Sequence, residues 1–491
     1  MGTPSYLVVV LPGIGGSVLR VPGTHGRLVW AARFGDVGNL LLDPEGLSVD
    51  KHPRLAPAGL ISTQKAFGIW TAIQGYETVL TALTQGQNAL PHASLDRGTS
   101  PMACMDATVV AVGYDFRLGV KDAADELDRQ LQPRVEHLWP NADERRDRVF
   151  IVAHSMGGLV AREWAAREPN RELCRMILTL GTPHRGAPKA LQVLTQGLPI
   201  LGQVQNQRLL DVVRSWPSVY DLLPQFPAVA DVSTAGVAVV GRRSHELPID
   251  WLRNQAARAH SLHEDITQCW SDPSWETKPR LNARIGYGHS TLRGAVWDGK
   301  KVHVGKHSFV GLDLKGWDDL LGDGTIPASC AVPFEHDEDQ PDGLLERERH
   351  GRLNGLASIP DWLRHSLRFP RLSNLAIRGV DKPIVLGVEV EPVVLTRTSN
   401  PIAAMLHGSS ASVSVEGARV SAFVRPAQQP YAPAVEVMLE WDSATAQFTG
   451  MMPALSPGLH DLEVVGEGVH GAGGVQTTRE LVEVVDGDAL G

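Results

Sequence analysis

The sequence predicts an α/β fold on a mostly parallel sheet, followed by an all-β unit. Three observations carry this. Short apolar runs without polar alternation are separated by stretches of helical period, as in a parallel sheet covered on both faces. One such run ends abruptly at a serine set among small residues, "FIVAHSMGGLVA" (150–161). From about residue 376 the texture changes to short, alternating, valine-rich segments parted by Gly, Pro, Asn and Ser.

In chain order, "YLVVVL" (6–11) reads as the first buried strand, and the glycine-rich "LPGIGGSVL" (11–19) follows it. Residues 20–104 are long and irregular and hold Trp30, Phe34, Leu40, Leu41, Leu42 and Trp70. "ATVVAVGYD" (107–115) is the next strand. In 120–138, Val120, Ala123, Ala124, Leu127, Leu131 and Val135 recur at helical spacing. Arg148–His154 is a third strand, and Gly158–Arg167 a helix with Leu159, Val160 and Trp164 spaced for one face. "CRMILTLGTP" (174–183) is a fourth strand, and residues 184–265 make a second excursion that includes "LQVLTQGLPILG". Excursions of this length from an α/β core are caps or lids over a site, or subdomains with small cores of their own. The expected division is a unit at 1–375, with insertions at about 20–104 and 184–265, and a second unit at 376–491. The second unit reads as an all-β sandwich of about 110 residues. Its segment "LEWDSATAQFTGMMPALSPGLHDLEVV" resembles the late strands of bacterial immunoglobulin-like modules.

With 491 residues, 43% of them hydrophobic, the chain can bury one large core and a smaller one. A net charge of −9 with no basic block argues against nucleic acid as a partner. Cys104, Cys174, Cys269 and Cys330 lack metal-ligand spacing and read as reduced, so no metal is expected. "LPGIGG" is not followed by Gly-Lys-Ser/Thr, which sets nucleotide binding aside, and no organic cofactor is expected. The N-terminus has no basic region, and no window reaches the ~18 apolar residues of a spanning helix, so a cytoplasmic location is expected. Arginine outnumbers lysine, which points to a GC-rich bacterial genome.

A strand that turns sharply into a helix exposes the side chain at its tip and demands small neighbours, the logic of the nucleophile elbow G-x-S-x-G. Here the pattern is Ala153-His154-Ser155-Met156-Gly157, with alanine adding one methyl group; a strand-turn-helix with an incidental serine is the plainer alternative. A serine hydroxyl needs a general base, and the base an orienting carboxylate. In α/β hydrolases both follow the serine, acid first. Asp323, in "LLGDGTIP", has glycines on both sides that permit a tight turn, and an ordinary Asp-Gly turn explains it equally; Asp313, Asp318 and Asp319 compete in a less constrained context. His350, in a loop before a helix starting near Ser358, is the chosen base; His336 in an acidic run and His365 on a helix remain alternatives, while His184 precedes the acid. The oxyanion requires backbone donors, expected from Met156 and, in the glycine loop, Gly15.

Five stretches resemble the lecithin:cholesterol acyltransferase family, in the family's order: "PGIGGSVL", "VGYDFRLG", "AHSMGGLVAR", "LGTPHRGAPKAL" and "GDGTIP", with "SWPSVYDLLP" as a weaker sixth. The resemblance implies an α/β-hydrolase fold with Ser155 as nucleophile, Asp323 as acid and a downstream histidine as base. It also implies amides near Gly15 and Met156 as the oxyanion hole, and a mobile lid over a lipid site. The family's Tyr-Asp-Trp-Arg stands here as Tyr114-Asp115-Phe116-Arg117, a structural motif at a strand end. The sterol and lipoprotein specificity of the eukaryotic members is not carried over. The expected activity is that of a serine hydrolase or O-acyltransferase on lipid or other acyl esters, through an acyl-enzyme. Transient membrane-surface contact through the lid and a protein partner for the β unit are further expectations. The alternative is a non-catalytic scaffold using the hydrolase fold, with the β unit recruiting a partner.

Overall fold

The computed structural model describes the chain apart from residues 1–3, 24–26, 32–43, 63–65, 68–71, 74, 100–103, 198–206, 234–239, 307–319, 337–342, 369–384, 408–414, 469–474, 486–491 and positions 392, 397, 398, 416 and 430. Phe34, Leu40–Leu42, Trp70, the competing carboxylates Asp313, Asp318 and Asp319, and the expected boundary at 375/376 lie outside the described residues.

Seven strands form the main sheet: β1 (Leu7–Leu11), β2 (Leu95–Asp96), β3 (Val109–Ala111), β4 (Val149–His154), β5 (Cys174–Leu180), β6 (Arg280–Gly286) and β7 (Gly343–Glu346). Their order is β7-β6-β5-β4-β1-β3-β2, and every pairing is parallel. All side chains of β1, β3 and β4 are buried, which is why these strands read as unbroken apolar runs. Helices accompany these strands: α1 (Glu77–Thr84), α2 (Val120–Leu138), α3 (Met156–Ala165), α4 (Pro188–Gln196), α5 (Asp250–Ser271) and α6 (Ser358–Arg368). The apolar stripe of α2 (Val120, Ala123, Ala124, Leu127, Leu131, Val135) is buried along its whole length.

The first insertion differs from expectation in one respect. Leu95 and Asp96 lie within residues 20–104 yet pair with Val109 and Val110, so the tail of that segment is the edge of the main sheet. Its earlier part holds a small three-stranded sheet from residues 17–20, 28–30 and 56–60. In the second insertion α4 and α5 accompany the short strands Val229–Asp231 and Val240–Arg242, which join Gly294–Trp297 and Val302–Gly305 in a four-stranded sheet.

The Tyr-Asp-Phe-Arg motif ties the first insertion to β3. Arg117 grips Asp115 through Nε and Nη2 at 2.8 and 2.6 Å, and its Nη1 donates to the carbonyls of Leu47 and Ser48. Asp115 accepts from the Leu55 amide at 2.8 Å, and Phe116 meets Trp30 and Trp216 edge-on. The arginine is fully buried, and every charge on the pair has a partner, as burial requires.

Eight strands follow in the C-terminal part: β8 (Val385–Val390), β9 (Val393–Leu395), β10 (Asn400–His407), β11 (Arg419–Pro426), β12 (Val435–Asp442), β13 (Gln447–Met452), β14 (Gly458–Glu467) and β15 (Gln476–Val485). They form one curled sheet, in the order β8-β10-β13-β12-β11-β14-β15-β9, antiparallel except where β9 meets β15. β12 divides its pairing: Val435–Leu439 bonds to β11 and Glu440–Asp442 to β13. A separate core of Leu386, Val388, Ile402, Val420, Val424, Phe448, Leu462 and Val482 fills this part. Among the described residues no helix is long and apolar enough to cross a membrane.

Candidate active site

Ser155 stands between β4 and α3 with φ 53° and ψ −127°, a left-handed backbone that a non-glycine residue adopts only when its surroundings enforce it. The enforcement is local. The Ser155 amide donates to Leu180 O on β5 at 2.9 Å, and the Thr182 hydroxyl donates to Ser155 O at 2.8 Å. The helix start then passes so close to β1 that a β-carbon on Gly157 would fall 2.5 Å from Pro12 O, and one on Gly158 would collide with the Thr182 side chain. These two contacts are the reason for the Gly-Gly after Met156.

His350 begins a short 3-10 turn after β7, and Asp323 lies in the turn "GDGTIP". His350 Nε2 is 2.9 Å from Ser155 Oγ, and His350 Nδ1 is 2.8 Å from Asp323 Oδ2. The other carboxylate oxygen of Asp323 accepts from the Thr325 and Ile326 amides at 2.9 and 2.7 Å, while the His350 amide donates to Asp323 O at 2.9 Å. All three residues are at most 5% exposed. The structure thus brings together Ser155, Asp323 and His350. It does not bring in His336 or the exposed His365, neither of which bonds to Ser155 or Asp323. His184 is buried elsewhere, between Arg162 Nη1 at 3.1 Å and Thr179 Oγ1 at 3.2 Å, and burial holds its imidazole well below its ordinary range.

Met156 opens α3, and its N–H has no protein acceptor among the described residues. In the glycine loop, a β-carbon on Gly13 would sit 2.7 Å from Ser155 Cβ, so that residue makes the close approach. Gly15 lies two residues on, at φ 76°, with its carbonyl taken by Trp30 Nε1 at 2.7 Å.

Sequence reasoning missed a second set of polar groups. His154 Nε2 lies 2.9 Å from His350 O, and a carbonyl can only accept, so Nε2 carries the proton. Burial, reinforced by the facing His350 ring, pulls the His154 pKa down to about 3, so the ring is neutral and Nδ1 is an acceptor. Tyr76 OH therefore donates to His154 Nδ1 at 3.0 Å and accepts from the Gly13 amide at 2.9 Å. The chain of bonds runs from the glycine loop to the backbone of His350. The A-H-S-M-G pattern held its middle member, but nothing in the sequence linked Tyr76 to it.

A cleft opens over Ser155, lined by Pro183, Ala187, Lys189, Ala190, Leu222 and Ile326. Its lining is apolar, with Thr325 and Lys189 among the lining residues; burial lowers the pKa of the Lys189 ammonium to about 8 against the opposing charge of Glu391. Among the described residues no group of three or more His, Cys, Asp or Glu side chains is placed to hold a metal ion.

Residues 102–288 match the family model of lecithin:cholesterol acyltransferase. A phosphatidylcholine-sterol acyltransferase of Gallus gallus is 31% identical over 107 residues, 20% of this chain and 25% of that protein. A GPI inositol-deacylase of Candida albicans is 36% identical over 66 residues, 13% of this chain and 16% of that protein. The chain thus spans a quarter or less of the length of these curated relatives. Among solved structures, the lipase BlEst2 of Bacillus licheniformis in its propeptide form aligns with 98% of this chain and 94% of its own, at 9% identity and a TM-score of 0.37. The parallel sheet, the bend at Ser155 and the match of residues 102–288 together support an α/β hydrolase similar to the lecithin:cholesterol acyltransferase family.

Proposed function

We propose that this chain is a serine ester hydrolase or O-acyltransferase acting on lipid acyl esters. The observation that carries the reading is the relay Ser155 Oγ···His350 Nε2, 2.9 Å, with His350 Nδ1···Asp323 Oδ2, 2.8 Å, at a strained strand-to-helix bend. In the reaction, His350 takes the hydroxyl proton as Ser155 Oγ attacks the ester carbonyl. Asp323 holds the imidazole in the required tautomer and stabilises its positive charge. The amides of Met156 and Gly15 receive the oxyanion, each donor contributing roughly 3 kcal/mol. His350 then protonates the departing alcohol. Water or a second alcohol resolves the acyl-enzyme by the reverse path.

The names of the two relatives, an acyltransferase and a deacylase of lipids, support this substrate class, as does the apolar cleft. Lys189, a residue of its lining, suits an ester whose alcohol part bears an anionic group, as in a phospholipid. The exposed Val232, Val240 and Trp251 of the second insertion offer apolar surface for contact with a lipid aggregate. The division at residue 375/376 stands as part of this reading: a catalytic unit before it, an immunoglobulin-like β unit after it.

The test is turnover of a short-chain aryl ester and of phosphatidylcholine vesicles by the wild type and by Ser155→Ala. Fatty acid or acylated alcohol should be released by the wild type alone; undiminished turnover of both substrates by the variant rejects the reading.

A further inference from the structure

We propose that the C-terminal sheet is a positioning element of the reaction, because it holds the arginines on both sides of His350 and so fixes the loop from which the imidazole reaches Ser155. This rests on the assignment of His350 as the base.

The loop after β7 leaves the sheet ladder and its backbone is held at a few points, His154 Nε2 and His289 Nε2 donating to the carbonyls of His350 and Arg347 at 2.9 and 3.2 Å. His350 N bonds to Asp323 O and Arg352 N to Arg349 O, both at 2.9 Å, and no ladder continues past Glu346. Arg347 Nε reaches the Tyr287 hydroxyl at 3.3 Å, and the further partners of the loop's arginines lie more than thirty residues away in the C-terminal strands. Arg347 Nη1 donates to Gln476 Oε1 at 3.2 Å. Arg349 donates from Nη1 to Val388 O at 2.6 Å and forms an ion pair with Glu480. Arg352 Nη2 reaches Asp461 Oδ1 at 2.9 Å and Glu480 O at 3.3 Å. Three residues out of the six from 347 to 352 thus cross to β8, β14 and β15, and they bracket the base.

Arg349 bears on the acid as well. Its guanidinium lies against Gly324, where a β-carbon would come within 2.9 Å of Nη2, so one side chain touches the turn of Asp323 and the C-terminal sheet together. The Arg349 and Glu480 side chains are 13% and 9% exposed, so water screens the pair little. Losing Glu480 would leave a nearly buried guanidinium seeking a new partner, and the loop would move with it. A shift of about 1 Å at a reacting group can cost on the order of a hundredfold in rate. The fork geometry of arginine suits it to this task better than a single-point cation.

The experiment uses the full chain. Glu480→Ala is measured for kcat and KM on a soluble aryl ester, well below its melting temperature, beside wild type and His350→Ala. The expected result is a fall in kcat of roughly ten- to a hundredfold with KM within about twofold. A lower melting temperature with kcat unchanged overturns the proposal, since it makes the contact structural only. If Glu480→Ala does not fold, Arg352→Asp and Asp461→Arg decide: each alone should lose kcat, and the pair combined should regain it. Failure of the pair to regain kcat also overturns the proposal. His350→Ala separates the premises. Its inactivity beside a fully active Glu480→Ala rejects positioning by the sheet and leaves the base assignment standing, whereas wild-type turnover by His350→Ala rejects the base.

Discussion

His154 donates from Nε2 to the carbonyl oxygen of His350 across 2.9 Å, so the neighbour of the serine grips the backbone of the residue that faces its hydroxyl. The grip is fully buried and is set from the other side by Tyr76, which spans to the Gly13 amide. Glycine loop, bend and histidine loop are therefore one hydrogen-bonded assembly.

Removing one member should be felt at both ends. Tyr76→Phe leaves the Gly13 amide and His154 Nδ1 buried without partners, at a cost of about 1–3 kcal/mol for each such group. The expected outcome is a lower urea midpoint together with a reduced kcat. A variant with lowered stability and wild-type kcat would confine the assembly to a structural role.

Lys189 should discriminate among substrates. Below about pH 8 the ammonium of this cleft-lining residue is charged, and a hydrogen bond to an anionic group is worth about 1.5–3 kcal/mol. Lys189→Met is expected to raise KM for a phosphatidyl ester roughly tenfold or more, while a neutral aryl ester is little affected. In the wild type, KM for the anionic substrate should climb as pH passes about 8 and the ammonium is lost. Equal effects of Lys189→Met on both substrates would contradict this.

Stability should fall in mild acid. Burial lowers the pKa values of His154 and His289 to about 3 and of His263 to about 4, from an ordinary 6.5. Below pH 6.5 the unfolded chain binds protons that the folded chain refuses. Each such histidine then removes about 1.4 kcal/mol of stability per pH unit, down to its folded value. The stabilisation is whole at pH 7 and is lost progressively from about pH 6.5 toward 4. Urea midpoints at pH 7 and pH 5 check this: the midpoint should drop at pH 5, and an unchanged or higher one would show that these rings are not buried neutral.

The main sheet and α2 were legible because burial on both faces, or on one stripe, leaves a periodic signature. The bend at Ser155 was legible because sterics there admit only glycine at 157 and 158. β2 is not legible, because two residues carry no period and Leu95 and Asp96 read as part of an insertion. The Tyr76–His154 bond and the anchors of Arg347, Arg349 and Arg352 escaped for another reason. Their partners lie far along the chain, and a run such as "RERHGR" reads equally well as solvated charge. Division of β12 between two neighbouring strands likewise depends on tertiary pairing that alternation alone does not specify.

The most direct measurement of the central claim is labelling by a fluorophosphonate followed by mapping of the modified peptide. A single adduct on Ser155, formed at a rate that falls about a hundredfold or more in His350→Ala, is the predicted result. An adduct at another residue, or labelling of Ser155→Ala at the wild-type rate, would contradict it.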